Sequence, residues 1–124
     1  MKETLIIAGG IFTVALIIFH LLFWRIFKWP GTLRSLNSVN KATMQVLNIS
    51  ITIIFFIIAY ISFAHTNELL STKLGNTLLV SLSGLWLFRA VQQVAFYKLK
   101  QKASIGLTIY FLIGALLYGL PLII

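Results

Sequence analysis

Six polar side chains lie inside long apolar stretches of this sequence, where polar groups are costly and usually face a bundle interior or a cavity. They are His20, Gln45, Asn48, Arg89, Gln92 and Gln93. Arg89 is the most informative of them, because a guanidinium presents five donors in a planar fork that matches a phosphate or a carboxylate. We therefore take these six residues as candidates for a ligand-binding site, with Arg89 as the principal anion contact.

Arg89 has no acidic neighbour along the chain. The sequence contains only two acidic residues, Glu3 and Glu68. The donors of Arg89 must therefore be met by amide oxygens, backbone carbonyls, water or a bound anion. Two interpretations stay open. In the first, the guanidinium has a structural role: it extends towards lipid headgroups or is held by the amides Gln45, Asn48 and Gln93. In the second, it forms a phosphate or carboxylate site that opens to the cytoplasm.

The composition predicts the class of protein. Of 124 residues, 60% are hydrophobic and only 10% are charged, the mean hydropathy is +1.01, and there is no cysteine. Soluble proteins carry about 25% charged residues. This composition indicates an integral membrane protein and argues against a soluble domain, a disordered tail, a disulfide scaffold, a zinc finger or thiol redox chemistry. We expect no metal and no cofactor.

Four stretches are long enough to cross a bilayer, which takes about 20 predominantly apolar residues. They run approximately over residues 5–23, 42–64, 76–97 and 104–124. Backbone that faces lipid must satisfy its own hydrogen bonds, so each stretch is predicted to be a helix. The expected fold is all-α, a four-helix membrane bundle that forms a single domain over residues 1–124.

The positions of the basic residues predict the orientation of the bundle. Two loops, between spans one and two and between spans three and four, hold Arg25, Lys28, Arg34, Lys41, Lys98, Lys100 and Lys102. The other side holds only Lys2 and Lys73. Positive loops stay inside, so we expect both termini outside and both basic loops in the cytoplasm, near anionic lipid headgroups. Because orientation and lipid headgroups account for the net charge of +8, the sequence does not require nucleic acid as a partner.

The candidate residues fall in one half of the predicted bundle. At about 1.5 Å of rise per residue, Arg89 and Asn48 lie about 12 and 10 Å inside the cytoplasmic boundary, and His20 lies about 6 Å inside it. The chain direction alternates between spans, so this convergence is informative. It favours either a set of hydrogen bonds between helices or a polar cavity on the cytoplasmic side.

Local signals predict the ends of the helices and the places where they approach closely. Trp29, Pro30 and Gly31 are typical of a turn, after which Thr32 would cap an interfacial segment over about residues 32–41. Small residues within the spans are expected to permit close helix approach. These are Gly9, Gly10, Ser81, Ser83, Gly84, Gly114 and Gly119.

Several classes of function lack the residues they need. No span contains a carboxylate to couple proton transport, and no pair of carboxylates or metal ligands could run hydrolysis. His20 and His65 lie near opposite faces of the membrane by this topology, about 25 Å apart, so they cannot ligate one haem. We therefore expect a protein that is not an enzyme.

Two segments form loose motifs: LNSVNK at 36–41 with Met44, Gln45 and Val46, and LWLFR at 85–89 with Gln93 and Tyr97. They resemble a group of small bacterial inner-membrane proteins with four transmembrane helices and no known activity. The resemblance implies four spans and a bacterial cytoplasmic membrane. It implies no reaction.

The leading hypothesis is a multi-pass membrane protein that binds an anionic lipid or a small anion in its cytoplasmic half. Arg89 would make the main contact, the other five polar residues would support it, and the basic loops would attract the headgroup. One alternative is an accessory subunit of a larger membrane complex, whose polar helix faces dock a partner protein or a second copy. A carrier of a small anion or solute is the other alternative.

Overall fold

The computed structural model describes residues 1–124, and its fold class is all-α, with 85% of its residues in helices and no strand. The α-helices are α1 (Lys2–Leu21), α2 (Phe23–Ile26), α3 (Ser38–Ala64), α4 (Thr66–Ser71), α5 (Lys73–Gln92) and α6 (Lys102–Gly119). A π-helical turn (Gln93–Tyr97) continues α5, and two 3-10 turns cover Gly31–Leu33 and Leu120–Leu122. Four helices, α1, α3, α5 with its π-helical turn, and α6 with its 3-10 turn, are long and apolar enough to cross a membrane.

The four long helices pack as two antiparallel pairs, α1 with α3 and α5 with α6, and α1 joins the pairs by packing against α6. His20 near the end of α1 bonds to Asn48 near the start of α3. Ser83 bonds to the carbonyl of Ala115 between α5 and α6. Alternating direction brings the 22–37 and 98–101 connections to one end of the bundle, named here the basic end. The two termini and α4 form the other, the terminal end.

Aromatic rings fill the centre of the bundle. Phe12 of α1 stacks on Tyr110 of α6 with centroids 4.2 Å apart and meets the edge of Trp86 at 5.2 Å. Trp86 lies parallel to Phe111 within 2°, at 5.9 Å, and packs against Phe55 of α3 at 5.8 Å. One indole of α5 therefore contacts rings from all three other long helices.

Glycines let large rings approach the backbone at some predicted positions and not at others. A methyl group built on Gly9 would lie 2.6 Å from Cζ of Tyr118, and one on Gly114 would lie 2.4 Å from Cζ of Phe12. Gly10 is crowded by the Phe63 ring in the same way, whereas Gly119 is crowded by the Ser83 hydroxyl. The prediction for Gly84 is wrong, because no atom lies within 4 Å of its missing Cβ and its face of α5 is exposed.

One prediction about the loop before α3 is also wrong. Thr32 does not cap a helix, because its hydroxyl donates to the carbonyl of Phe27. The cap is Asn37, whose extended backbone lets Oδ1 accept from the N–H of Asn40 at 2.8 Å, and asparagine ranks above threonine in this role. The segment 32–41 is therefore no single interfacial helix: it holds the end of a 3-10 turn and then the first turn of α3.

Candidate anion-binding site

Arg89 lies in the last turn of α5, half-buried, with its guanidinium carbon 4.6 Å from the centroid of the Phe111 ring. A cation over an aromatic face is attracted by the ring quadrupole, but that contact satisfies none of its N–H donors. The two acidic residues lie at the terminal end, where Glu68 Oε1 is 2.7 Å from His65 Nδ1. Arg89 therefore carries a positive charge with no acidic partner.

Gln45 and Asn48, two of the amides predicted to hold Arg89, bond elsewhere, so that part of the interpretation is wrong. Asn48 and His20 form a reciprocal pair. Asn48 Oδ1 lies 2.7 Å from His20 Nδ1, and Asn48 Nδ2 donates to the His20 carbonyl at 2.9 Å. Gln45 accepts from Trp24 Nε1 at 3.1 Å and donates to the Lys41 carbonyl. These bonds tie α1 and α2 to α3, which is the structural role that polar residues commonly play between helices.

Gln93 ties the π-helical turn to α6. Its amide Nε2 donates to Ser104 Oγ at 3.1 Å, and the Ser104 hydroxyl donates to the Lys98 carbonyl. Lys98 adopts a positive φ of 63°, a conformation that side-chain-bearing residues rarely take. Gln93 is buried at 2% exposure, yet its Oε1 has no hydrogen-bond partner. Short π-helical segments are often found at functional sites.

Trp86 was missed as a candidate from the sequence, although it lies three residues before Arg89. Its side chain is 3% exposed, and its indole Nε1 has no hydrogen-bond partner. The Phe111 ring contacts both Trp86 and Arg89. The three-residue spacing in the sequence predicts that Trp86 lies on the same side of the helix as Arg89. No feature of the sequence predicts that Phe111 contacts both residues.

A buried hydroxyl cluster at the terminal half was also missed. Tyr118 Oη lies 3.2 Å from Thr13 Oγ1 and 2.8 Å from Ser62 Oγ, which joins α6, α1 and α3. Thr13 and Ser62 also donate to the carbonyls of Gly9 and Ile58. All three hydroxyls are therefore satisfied inside the bundle. Nothing in the sequence separated them from other isolated hydroxyls in apolar helices.

The basic end carries seven cations besides Arg89. Six of the seven predicted loop cations are exposed and Lys41 is half-buried: Arg25, Lys28, Arg34, Lys41, Lys98, Lys100 and Lys102. Gln92 is half-buried beside Arg89. The structure thus brings Arg89, Gln92 and Gln93 together on α5, and it places His20, Gln45 and Asn48 at the same end in a separate set of hydrogen bonds.

The terminal end differs in charge. A polar cavity of about 320 Å³ opens there between the start of α1 and the α3–α4 junction, lined by residues that include Glu3, His65 and Glu68. His20 and His65 lie at opposite ends of the bundle. No three His, Cys, Asp or Glu residues come close enough to hold a metal ion.

Comparison with protein-family models, with curated proteins and with solved structures found no match to this chain. The argument for function therefore rests on the site alone. A forked cation that is half-buried and has no acidic partner is suited to binding an oxyanion.

Proposed function

We propose that this chain is a multi-pass protein of the bacterial cytoplasmic membrane that binds an anionic lipid headgroup or a small oxyanion through Arg89, without catalysing a reaction. Both termini lie outside, and the basic end faces the cytoplasm. The observation that carries the proposal is the unpaired guanidinium of Arg89 at the basic end of four helices of membrane-spanning length.

The distribution of charge supports the orientation. Seven of the ten Lys and Arg residues lie in or beside the connections of the basic end, whereas the terminal end has Lys2 and Lys73 together with both acidic residues. Short loops rich in Lys and Arg remain in the cytoplasm. The anionic lipids of the inner leaflet attract such loops by about 1 kcal/mol per basic residue near the surface.

Hydrogen bonding within the protein supports Arg89, rather than the neighbouring amides, as the residue that contacts the anion. The side-chain oxygens of Gln45 and Asn48 are already engaged inside the protein. A guanidinium without an acceptor is costly to bury, and a phosphate or carboxylate supplies two acceptors in the geometry of the fork. An anion at Arg89 removes that cost, and the exposed loop cations raise its local concentration.

Native mass spectrometry of the gently extracted protein tests the proposal. We expect an anionic phospholipid or a small anion to remain bound to the wild type and to be lost from Arg89→Gln. Lys73→Gln is the matched control, because Lys73 is an exposed cation at the terminal end, and it retains the ligand. Arg89→Lys keeps the charge but not the fork, so we expect partial retention.

Two results would contradict the proposal. If the wild type retains no anion, Arg89 has no ligand of this kind and the search moves to partner proteins. If Arg89→Gln retains as much anion as Lys73→Gln does, the bound anion is held by the loops and not by Arg89.

A further inference from the structure

Two buried polar atoms of the bundle lack a hydrogen-bond partner, and both belong to the chain segment that carries Arg89. They are Trp86 Nε1, a donor, and Gln93 Oε1, an acceptor. Both side chains are more than nine-tenths buried. Buried polar atoms are nearly always paired with protein, water or ligand, and an unpaired one destabilises the fold. These two atoms indicate a partner that comes from outside the chain.

Arg89 lies between these two residues along the helix. Trp86 precedes it by three residues and Gln93 follows it by four, so the three side chains share one face of α5. The N–H of Gln93 bonds to the Arg89 carbonyl, which places the two residues one turn apart. The Phe111 ring of α6 contacts both Trp86 and Arg89. A neutral donor, a forked cation and a neutral acceptor therefore follow one another along this face of the helix.

The order of donors and acceptors restricts the chemistry of the ligand. The guanidinium and the indole N–H both donate, so they suit the unesterified oxygens of a phosphate. Gln93 Oε1 can only accept, so it needs a donor such as a hydroxyl group. An anion that consists of acceptors alone would leave Gln93 Oε1 unpaired. The ligand that completes the site carries a negative phosphate and a hydroxyl on a short neighbouring chain.

We propose that the group bound at Arg89 is a phosphoglycerol group, an inference that rests on the proposed function and specifies its ligand. The phosphate binds Arg89 with help from Trp86 Nε1, and a glycerol hydroxyl donates to Gln93 Oε1. Arg89 is the half-exposed member of the three, so the phosphate enters there and draws the guanidinium from the Phe111 ring. The same chemistry occurs in phosphatidylglycerol and in free glycerol phosphate.

A competition between two lipids tests this ligand directly. The full chain, in neutral detergent, is mixed with equal amounts of phosphatidylglycerol and phosphatidylmethanol. Both lipids have one phosphodiester charge, and only the first has headgroup hydroxyls. Native mass spectrometry gives the ratio of the two bound lipids. We expect phosphatidylglycerol to be favoured by about tenfold, which corresponds to about 1.4 kcal/mol.

Two variants test whether the preference for phosphatidylglycerol depends on the side-chain oxygen of Gln93. Gln93→Met keeps a side chain of similar length without the acceptor, so we expect it to bind both lipids and to lose the preference. Gln101→Met is the matched control, since Gln101 is exposed in the α5–α6 connection, and it keeps the preference. Added glycerol phosphate displaces the lipid when the free compound is the ligand, and it leaves the lipid bound when the acyl chains are required.

The outcomes separate this inference from the function it rests on. Equal binding of the two lipids by the wild type would overturn the phosphoglycerol assignment and leave an anion site at Arg89. A preference that survives in Gln93→Met would also overturn it. Failure of the wild type to bind either lipid or glycerol phosphate would contradict the proposed function itself.

Discussion

The polar groups of the terminal half and those around Arg89 differ in whether the protein supplies their hydrogen-bond partners. In the terminal half, the hydroxyls of Thr13, Ser62 and Tyr118 bond to one another and to backbone carbonyls, and Gly9 lets the Tyr118 ring approach α1. Around Arg89, a cation, an indole N–H and an amide oxygen remain without partners inside the protein. Satisfied groups hold helices together, whereas unsatisfied groups at a half-open position indicate a ligand.

The basic end contains both kinds of polar group, which sharpens the contrast. His20 and Asn48 form a closed pair between α1 and α3. Arg89, on α5 at the same end, has no such partner. Arg89 and the His20–Asn48 pair therefore lie at the same end of the bundle but have different roles, and their hydrogen-bond partners distinguish these roles.

The largest loss of stability is expected at the packed glycine. Gly9→Ala places a methyl group 2.6 Å from Cζ of Tyr118, and overpacking of this kind costs about 1–3 kcal/mol. Gly84→Ala is the control, because its Cβ meets open space, and helix propensity favours alanine by about 1 kcal/mol. Unfolding by a denaturing detergent, followed by circular dichroism, measures both variants. Equal stability of the two would show that the terminal half is not tightly packed.

The next largest effect is expected at the closed pair of the basic end. Asn48→Leu removes both bonds to His20 and leaves the half-buried ring nitrogen, His20 Nδ1, without a partner, which costs about 1–3 kcal/mol. Asn76→Leu, at an exposed position of α5, should leave the free energy of unfolding nearly unchanged. The same unfolding titration compares them. A stable Asn48→Leu variant would contradict the structural role assigned to this pair.

A smaller effect is expected at the hydroxyl cluster. Tyr118→Phe removes one hydroxyl, while Thr13 and Ser62 keep their backbone acceptors. The loss should therefore be about 1 kcal/mol, the net value of a typical hydrogen bond. Thermal unfolding of the variant checks this. A loss several times larger would mean that the three hydroxyls act as one cooperative unit.

The smallest change in stability is expected at Arg89. Arg89→Met removes a charge that has no acceptor in the protein, so without anionic lipid the free energy of unfolding should stay within about 0.5 kcal/mol of the wild type or rise. Measurement in neutral detergent isolates this effect. A loss comparable to that of Gly9→Ala would make Arg89 a structural residue.

The helices could be predicted from the sequence because hydropathy and length determine them. The four predicted stretches match the long helices within a few residues at most ends, and α3 begins earlier than predicted, at Ser38, because Asn37 caps it. The short helix α4 was missed, since a six-residue helix leaves no apolar run. Thr72 caps α5 by accepting from the N–H of Gly75, a local signal that hydropathy does not show.

The partners of the polar residues could not be predicted. Periodicity gives the face of a helix but not the residue opposite, so Gln45 and Asn48 were expected at Arg89, although they bond to Trp24 and His20. The unpaired state of Trp86 Nε1 and Gln93 Oε1 depends on side-chain packing in the folded bundle. Arg89 itself was visible because a lone cation in an apolar helix is rare.

The effect of anionic lipid on thermal unfolding tests the central claim most directly. Wild type and Arg89→Met are melted in neutral detergent, with and without phosphatidylglycerol. A ligand at about 100 times its Kd stabilises the folded state by about 2.7 kcal/mol, so the wild type should melt several degrees higher with the lipid, while Arg89→Met should not shift. Equal shifts in both proteins would contradict an anion site at Arg89.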